Sequence, residues 1–376
     1  MEKLLTEVCK IQYGFPFDSS KFNKREGMPL IRIRDISSGC TEAYTTEEFK
    51  DEYVVKKGDI LIGMDGEFNI AKWSGEDALL NQRVCRLIPF NVDADYLYYF
   101  MPKVLKEIET KTSFVTVKHL SAKQLNGIVI SLPTLERQKF VATVLQRTEK
   151  SIDKRKQQLQ KLDELVKARF VEMVGDPVNN SLGWEEHYLD EYIEFLTSGS
   201  RGWAKYFVDN GSEIFITIKN VKNSHIVLDA IQYINAPDNK EAERTKVQNG
   251  DLLISITADL GRTGVVDAGI ANIGAYINQH LSLIRLNKLE VNPMYVSYFL
   301  ETEGGKKQFS SKNQSAVKAG LNFEAIKSLK IFMPPLELQN QFAEFVQQID
   351  KSKLKVQKSL DKLETLKKAL MQKYFG

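Results

Sequence analysis

The pattern in this sequence that comes closest to a catalytic site is a pair of carboxylates with a lysine. Asp95 is followed fourteen residues later by Glu109-Thr110-Lys111. Two carboxylates beside a lysine can hold a divalent metal ion and activate a water molecule for hydrolysis. The apolar spacing from Asp95 to Ile108 predicts a helix, however, with Asp95 and Glu109 near its two ends. We therefore interpret these carboxylates as part of a solvated helix face.

Other catalytic and ligand-binding patterns are missing from the sequence. It has no phosphate-binding loop ending in Gly-Lys-Ser/Thr, no dinucleotide fingerprint and no Gly-x-Ser-x-Gly nucleophile elbow. The cysteines and histidines are too widely spaced for a zinc site; they are Cys9, Cys40, Cys85, His119, His187, His225 and His280. We therefore expect no catalytic residue, no metal and no cofactor in this chain.

The composition is that of an ordinary globular protein, with 43% hydrophobic and 27% charged residues. A chain of 376 residues is long enough for two domains. No apolar run has the length of a membrane span, and residues 1–7 do not form a signal peptide. Few and scattered cysteines are typical of a reducing compartment. These features predict a cytoplasmic protein.

The net charge of +3 is distributed unevenly along the chain. Residues 1–134 carry 18 basic and 19 acidic side chains, and residues 175–335 carry 16 and 19. The excess of positive charge lies in residues 135–174, with 10 basic and 6 acidic side chains, and in residues 336–376, with 8 and 5. A broad polycationic surface for nonspecific binding to nucleic acid is therefore excluded.

A long, charged helix is predicted twice, each time after a proline step. The first copy begins at Leu135 and ends near Met173, before Gly175-Asp176-Pro177, and the second runs from Leu336 to the C-terminus. The copies are related by a shift of 201 residues. Within each, apolar residues recur at alternate steps of three and four, which is the pattern of a coiled coil. We expect the two helices to pair with each other.

The predicted seam contains Leu145, Thr148, Ile152, Arg155, Leu159, Leu162, Val166, Arg169 and Met173 in the first helix and Val346, Ile349, Lys353, Val356, Leu360, Leu363, Lys367, Leu370 and Tyr374 in the second. The polar members, such as Arg155 and Lys353, lower stability but help to fix the register.

The segments that precede these helices also repeat each other. Residues 1–134 predict a strand over Leu30–Ile36, a glycine turn and buried strand over Lys57–Ile62, a strand over Asn81–Ile88, the helix described above and a last strand over Leu125–Leu132. Residues 184–334 repeat this order with longer loops. The expected fold is α+β, with two similar globular domains, residues 1–134 and 175–335, separated by two long helices, residues 135–174 and 336–376, that form an antiparallel coiled coil.

The ordered set of repeated motifs resembles the specificity subunit of type I restriction–modification systems over essentially the whole chain. The matching pairs are Lys3–Val8 before Gly14 and Trp184–Ile193 before Gly199, Ile31–Ile36 and Ile216–Val221, Gly58–Ile62 and Gly250–Ile254, Asn81-Gln82 and Asn278-Gln279, and the Pro-x-Leu-Glu-x-Gln motifs at residues 133–138 and 334–339. The sequence departs from the family at Thr134, where a second proline is usual, and at Arg137 and Leu338, which replace an acidic residue.

This resemblance implies a non-catalytic subunit with two target-recognition domains, each reading half of a bipartite DNA site. The paired helices would act as a spacer and as the docking surface for two methyltransferase subunits. S-adenosylmethionine would then be bound by the methyltransferase subunits, and ATP and Mg by a restriction subunit joined through the complex.

Candidate DNA-binding residues are polar side chains in loops that flank the repeated strands, because base edges are read by hydrogen-bonding side chains. In the first domain they are Asp65, Gly66, Lys72, Lys111, Ser113, Lys118 and His119; in the second they are Ser200, Arg201, Lys205, Thr257, Arg262, Lys312, Gln314 and Lys318.

Two other functions are consistent with parts of the sequence. A free-standing metal-dependent nuclease would use Glu109 and Lys111, and its cleavage activity would be lost on Glu109→Ala. A two-headed scaffold for protein ligands would give no sequence-selective footprint on DNA even with all its partners present.

Overall fold

The chain forms two compact units. The computed structural model describes residues 1–111, 118–312 and 320–376. Met1–Lys156 and Lys358–Gly376 make up the first unit, and Gln157–Gln357 make up the second. Among the described residues no helix is long and apolar enough to cross a membrane.

The first unit combines short strands with helices. Its strands are β1 (Glu2–Leu4), β2 (Cys9–Tyr13), β3 (Phe22–Asn23), β4 (Met28–Ile31), β5 (Tyr44–Thr45), β6 (Val54–Val55), β7 (Ile60–Gly63), β8 (Ile70–Lys72), β9 (Ala78–Leu80), β10 (Val84–Pro89) and β11 (Val129–Ser131). Its helices are α1 (Ala94–Lys111), α2 (Ala122–Asn126) and the first part of α3 (Leu135–Val174), with 3₁₀ turns at Leu5–Glu7, Ser19–Lys21, Ile33–Asp35 and Asp51–Tyr53.

These strands form an antiparallel sheet in the order β2-β10-β7-β8, a mixed sheet in the order β3-β5-β4-β9-β6, and the pair β1-β11. Strand β7 is buried along its length and follows a turn at Gly58, whose φ of +97° is accessible to glycine without steric cost. The apolar face of α1 packs on the first sheet, and the core there includes Ile62, Leu97 and Leu105.

The second unit repeats this architecture with additions. Its strands are β12 (Glu186–Tyr188), β13 (Ile193–Ser198), β14 (Phe207–Val208), β15 (Glu213–Ile216), β16 (Val221–Lys222), β17 (Ser224–Ile226), β18 (Gln232–Ile234), β19 (Leu252–Ser255), β20 (Thr263–Val265), β21 (Ala275–Ile277), β22 (Leu281–Leu286) and β23 (Lys330–Phe332). Its helices are α4 (Lys240–Thr245), α5 (Ala268–Ile273), α6 (Pro293–Glu301), α7 (Glu303–Ser311), α8 (Phe323–Lys327) and the first part of α9 (Leu336–Phe375), with 3₁₀ turns at Leu189–Tyr192, Trp203–Tyr206 and Ile218–Asn220.

The sheet order in the second unit is β13-β22-β19-β20-β17-β16, next to a sheet β14-β18-β15-β21 and the pair β12-β23. Its first four strands correspond to β2, β10, β7 and β8. The hairpin β16-β17 extends this sheet, because β17 pairs in parallel with β20. The inserted segments noted in the sequence therefore add a hairpin to the sheet edge and leave the shared strands in place.

The long helices pack against each other in both units, in antiparallel orientation. In the first unit Lys367 Nζ lies 2.6 Å from Glu149 Oε1, and the guanidinium of Arg137 lies 5.4 Å from the ring of Tyr374. In the second unit Phe170 packs edge-on against Phe342, with 5.1 Å between the ring centroids. Every predicted seam position is buried or half-buried. The predicted pairing of the helices is confirmed.

A buried glutamine anchors the start of each long helix. Gln138 donates from Nε2 to the carbonyl of Pro133 and accepts the backbone N–H of Asp93, at 2.9 Å each. Gln339 makes the same two bonds, to Pro334 at 2.8 Å and from Asn292 at 2.9 Å. The glutamine of the Pro-x-Leu-Glu-x-Gln motif is therefore repeated because it ties the helix start to the segment preceding α1 or α6.

The predicted strand Leu30–Ile36 is only partly correct. Strand β4 ends at Ile31, and Ile33–Asp35 form a 3₁₀ turn. The Asp35 carboxylate accepts the backbone N–H and the Nε–H of Arg32, at 2.9 and 3.3 Å, and this local bonding replaces further strand pairing.

Two other predicted strands are shorter than expected. The segment Asn81–Ile88 becomes a strand only at Val84, because Asn81 forms a turn in which its carbonyl accepts the N–H of Val84 at 2.9 Å. In Leu125–Leu132 the strand is confined to Val129–Ser131. Leu125 belongs to α2, which is capped by the hydroxyl of Ser121.

Candidate nucleic-acid interface

Three separate segments meet at the end of β7 in the first unit. The N–H of Met64 donates to the carbonyl of Arg83 at 2.9 Å, and the N–H of Leu120 donates to Met64 at 2.7 Å. Gly66, with φ of +74°, donates its N–H to the carbonyl of Lys118 at 2.9 Å. These backbone bonds bring the candidate loop after β7 and the candidate segment before α2 side by side.

The side chains of Asp65, Arg83 and His119 form a polar cluster on this frame, which we name the first cradle. His119 donates from Nδ1 to Asp65 Oδ1 at 2.5 Å, and Arg83 Nε lies 3.4 Å from Asp65 Oδ2. The Arg83 and His119 side chains are 55% and 45% exposed, whereas Asp65 is 25% exposed. Asp65 therefore holds two exposed side chains in place, and an arginine held this way can donate to guanine or to a phosphate.

The same backbone frame is present in the second unit. The N–H of Ile256 donates to the carbonyl of His280, and the N–H of Leu321 donates to Ile256, both at 2.9 Å. Thr257 pairs with Gly320 as Asp65 pairs with His119. The residues Thr257, Gln279 and His280 line this position, which we name the second cradle.

The second cradle is a chain of hydrogen-bonding groups that contains neither a carboxylate nor a guanidinium. Gln279 Nε2 lies 3.0 Å from His280 Nε2, and His280 Nδ1 lies 2.7 Å from Thr257 Oγ1. Gln279 Oε1 is buried and has no partner among the described residues.

The two cradles differ in charge although their backbone bonding is the same. The first presents a carboxylate, a guanidinium and an imidazole, and the second presents a hydroxyl, an imidazole and an amide. These groups favour different donor and acceptor patterns on base edges. One frame with two sets of side chains is suited to recognising two different short sequences.

A loop that begins with a repeated glycine lies beside each frame, and in the second unit it contains the candidates Ser200 and Arg201. At Gly14 an added Cβ would stand 1.9 Å from the carbonyl oxygen of Asn81, and at Gly199 it would stand 2.1 Å from that of Asn278. Only glycine permits this approach, which explains why both glycines recur in the repeat. Ser200 follows Gly199 and pairs with Asn278, the residue that precedes Gln279 of the second cradle.

Arg244 in helix α4 holds the loop at Ser200. Its guanidinium donates to Ser200 Oγ at 2.9 Å, to the carbonyl of Ser198 at 2.7 Å and to the hydroxyl of Thr197. Sequence reasoning missed this arginine because it lies more than forty residues from the loop and within an insertion. Neighbouring Arg201 is exposed.

Several candidate lysines and arginines are engaged in ion pairs. Lys72 pairs with Asp95 and lies 5.2 Å from the ring centre of Tyr98. Burial lowers the pKa of Lys72, although nearby carboxylates oppose the shift. Lys118 donates to Glu109 at 2.9 Å, and Arg262 pairs with Asp259. Lys72 therefore packs against α1 and is not part of the first cradle.

The remaining candidates are dispersed. Lys111 is exposed at the end of α1, Lys205 lies 4.9 Å from the ring centre of Tyr206, and Lys312 donates to the hydroxyl of Ser328 at 2.7 Å. Three candidates, Ser113, Gln314 and Lys318, lie outside the described residues.

The carboxylate–lysine pattern does not form a metal site. Asp95 and Glu109 are fourteen residues apart on α1, which corresponds to about 21 Å along the helix axis. Hydrogen bonds from Lys118 and Lys106 keep the pKa of Glu109 below its ordinary value. Among the described residues no group of three or more histidine, cysteine or acidic side chains could hold a metal ion.

Arg83, Gln279 and His280 were not among the candidates predicted from the sequence. Gln279 belongs to the repeated Asn-Gln pair, and Arg83 and His280 directly follow that pair in each half. The Asn-Gln pair is the same in both halves, whereas the residue after it differs. This difference beside a retained pair could have identified Arg83 and His280 from the sequence.

Comparison with known proteins gives matches over the whole chain. The family model described as "Type I restriction modification DNA specificity domain" matches it twice, over residues 1–164 and 182–366. The specificity subunit of the type I restriction enzyme EcoBI from Escherichia coli is 27% identical, over 99% of this chain and 84% of its own length. The MjaVIII specificity subunit from Methanocaldococcus jannaschii is 23% identical, over 91% and 87%.

Solved structures show the same fold. The S subunit of a type I restriction-modification system from M. genitalium superimposes with a TM-score of 0.64 at 13% identity, covering 100% of this chain and 96% of its own. A structure from a study of complex assembly and conformational transition of the type I R-M system gives a TM-score of 0.57 at 18% identity, covering 100% and 97%.

Proposed function

Because this chain belongs to the family of type I restriction–modification DNA-specificity subunits, which are non-catalytic, we propose that its two globular parts each read one half of a bipartite DNA site. The first part is residues 1–134 and the second is residues 175–335. The observation that carries the proposal is that both units build the same backbone frame and place chemically different cradles on it.

The cradles supply the hydrogen-bonding groups that base recognition needs. The first cradle offers Arg83 as a bidentate donor and Asp65 as an acceptor, which suits a G·C pair. The second offers the hydroxyl of Thr257 and the Gln279 amide, which can read several bases. Ser200, which pairs with Asn278 directly before Gln279, and its neighbour Arg201 would add phosphate or base contacts.

The paired helices α3 and α9 would serve as spacer and as docking surface for two methyltransferase subunits. Both helices carry outward apolar side chains that the seam does not use, and these suit contact with a protein partner; they are Leu135, Phe140, Leu165, Val171, Leu354 and Leu366. S-adenosylmethionine would be bound by the methyltransferase subunits, and ATP and Mg by a restriction subunit that joins through the complex.

The charge of the globular parts supports the proposal that this chain and the methyltransferase subunits bind DNA together. Residues 1–134 and 175–335 each carry slightly more acidic than basic side chains, and several candidate cations are in ion pairs. Few basic groups are left to neutralise phosphates, and phosphate contacts dominate affinity for DNA. The chain alone should therefore bind DNA weakly, and the assembly with methyltransferase subunits should bind much more tightly at equal salt.

A domain exchange tests the proposal. Residues 184–334 are replaced by those of a relative with a different target, and methylated adenines are mapped genome-wide with each version. One half-site should change and the other should stay the same. A change in both half-sites, or in neither, would contradict the proposal.

A single substitution tests the first cradle. Arg83→Ala in the assembled methyltransferase should relax discrimination at one position of one half-site by roughly 5- to 150-fold, since a bidentate base contact is worth about 1–3 kcal/mol. Arg25→Ala, which removes an exposed arginine from a turn in the same unit, is the matched control. Equal effects of the two variants would show that Arg83 contributes only general positive charge.

A further inference from the structure

Each long helix carries an acidic residue at the same position of the repeat, Glu149 in α3 and Asp350 in α9. In the first unit Tyr99 on α1 donates to Glu149 Oε2 at 2.5 Å. In the second unit His225 donates from Nε2 to Asp350 Oδ2 at 2.7 Å. The acid thus attaches a globular part to a long helix in both units, but the donor is a phenol in one and an imidazole in the other.

Both ring nitrogens of His225 face hydrogen-bond acceptors. Nε2 faces the Asp350 carboxylate, and Nδ1 lies 2.7 Å from the carbonyl oxygen of Asn223. A carbonyl and a carboxylate can only accept, so both nitrogens must carry a proton for both bonds to form. The observed arrangement therefore corresponds to the positively charged imidazolium.

The backbone next to His225 is held in an unfavourable conformation. Asn223 and Ser224 have φ values of +49° and +65°, a region that side-chain-bearing residues rarely adopt. Ser224 is fully buried, and its hydroxyl has no partner among the described residues. A strained backbone and an unpartnered buried hydroxyl both cost free energy, and they persist only where the surrounding structure imposes them. The hairpin β16-β17, an addition of the second unit, is thus shaped so that His225 reaches α9.

We propose that His225 is a positioning residue whose positive charge fastens the second globular part to α9, which makes this attachment titratable, whereas the Tyr99–Glu149 attachment of the first part is not. The inference concerns the folded chain itself and goes beyond the proposed function.

The groups around His225 leave its bond to Asp350 in place, which supports the difference between the two attachments. Lys353 on α9 lies 4.0 Å from Asp350 and 2.5 Å from Asp163 on α3, so it shares the acidic cluster without displacing the histidine. Tyr298 on α6 packs edge-on against the imidazole at 6.2 Å. Glu301 lies on the same helix.

Burial of His225 disfavours its charged form, but the hydrogen bond and charge of Asp350, with the Asn223 carbonyl, outweigh burial and raise its pKa above 6.5. A raised pKa in the folded state means that the attachment is fully present below about pH 6.5 and is lost as the pH rises through the raised value. For Tyr99, burial and Glu149 raise the pKa further above its ordinary value of 10, so the phenol stays protonated at physiological pH.

Hydrogen exchange of the full chain tests the inference. Protection of β16-β17 and of α9 around Asp350 is measured from about pH 6 to about pH 9, corrected for intrinsic exchange. We expect protection to fall about tenfold or more in the wild type, since the neutral ring loses its charge opposite Asp350 and can keep only one of its two hydrogen bonds. The matching region around Tyr99 and Glu149 should show no such decrease.

Two substitutions separate charge from packing. His225→Lys keeps a cation opposite Asp350 and should retain protection across the range, whereas His225→Gln should show low protection throughout. His187→Gln is the control, because His187 also has a raised pKa, through Glu191, and lies elsewhere in the same unit. A wild-type profile without pH dependence, or a decrease that survives in His225→Lys, would overturn the proposal.

The assembled methyltransferase gives an independent readout. Discrimination at the half-site read by the second part should decrease with rising pH, and discrimination at the other half-site should not. A parallel decrease at both half-sites would overturn the inference. Loss of half-site assignment in the domain exchange would overturn only the proposed function.

Discussion

Replacing Gln339 with leucine should destabilise the second unit strongly although the side chain makes no contact with solvent. Gln339 is 1% exposed, and its amide bridges the carbonyl of Pro334 and the N–H of Asn292. Asn292 in turn caps α6, accepting the N–H of Met294 at 2.9 Å. One amide therefore sets the start of α9 and the start of α6 relative to each other.

The size of the effect follows from the groups left without partners. Leucine keeps nearly the same volume, so the loss is confined to two hydrogen bonds, which leaves the C=O of Pro334 and the partly buried N–H of Asn292 without their partner. An unsatisfied buried group costs about 1–3 kcal/mol, which gives roughly 2–4 kcal/mol for the pair after partial relaxation. For a unit of this size the melting temperature should fall by roughly 5–15 °C.

Chemical denaturation and calorimetry of the full chain measure this difference. Gln341→Leu is the matched control, because Gln341 is an exposed glutamine on the same helix whose side-chain amide donates to Glu337 at 3.3 Å. The control should change the free energy of unfolding by less than about 0.5 kcal/mol. If Gln339→Leu were equally mild, the role assigned to this buried bridge would be wrong.

Three further substitutions test other contacts. Gly199→Ala should cost about 1–3 kcal/mol, because the new methyl group meets the carbonyl of Asn278, and the thermal unfolding curve reports it. Tyr295→Phe should cost about 1–2 kcal/mol in the free energy of unfolding, since the buried hydroxyl donates to Phe332 at 2.7 Å. Leu165→Lys should leave the melting temperature nearly unchanged but reduce co-purification of methyltransferase subunits, because Leu165 is exposed on α3; unchanged recovery would exclude this face from docking.

The long helices were predictable because their information is local. A seven-residue seam persists through both, and the burial pattern follows it step by step. The partner of Lys353 could not be predicted from the seam pattern. This lysine occupies a core-facing position because it pairs with Asp163 of the other helix, 2.5 Å away. The partner of a polar seam residue depends on the register between the two helices, which neither helix encodes alone.

The strands were less predictable because side-chain bonds compete with strand pairing. The alternation in Ile31-Arg32-Ile33-Arg34-Asp35-Ile36 is that of a strand, but the Asp35 carboxylate turns the chain back after Ile31. In the second unit Asn220 does the same for Thr217. The repeat preserves this turn, and periodicity alone cannot distinguish it from an extended segment.

The cradles were only half predictable. Asp65, His119 and Thr257 lie in loops beside repeated strands, and loop position was enough to select them. Lys72 satisfies the same criterion, yet it pairs with Asp95 on a different element. Arg83 was not selected, and it reaches Asp65 only because β7 and β10 are neighbours in the sheet.

The pairs β1-β11 and β12-β23 have a consequence for how such chains diversify. Each pair joins the beginning of a globular part to the strand just before its long helix, with Lys3 opposite Ile130 and His187 opposite Ile331. Each part is thereby closed by its own backbone before the helix begins. A genetic crossover placed within a helix would carry each strand pair across whole, although Phe375 at the end of α9 also belongs to the core of the first unit and would have to fit its new neighbours.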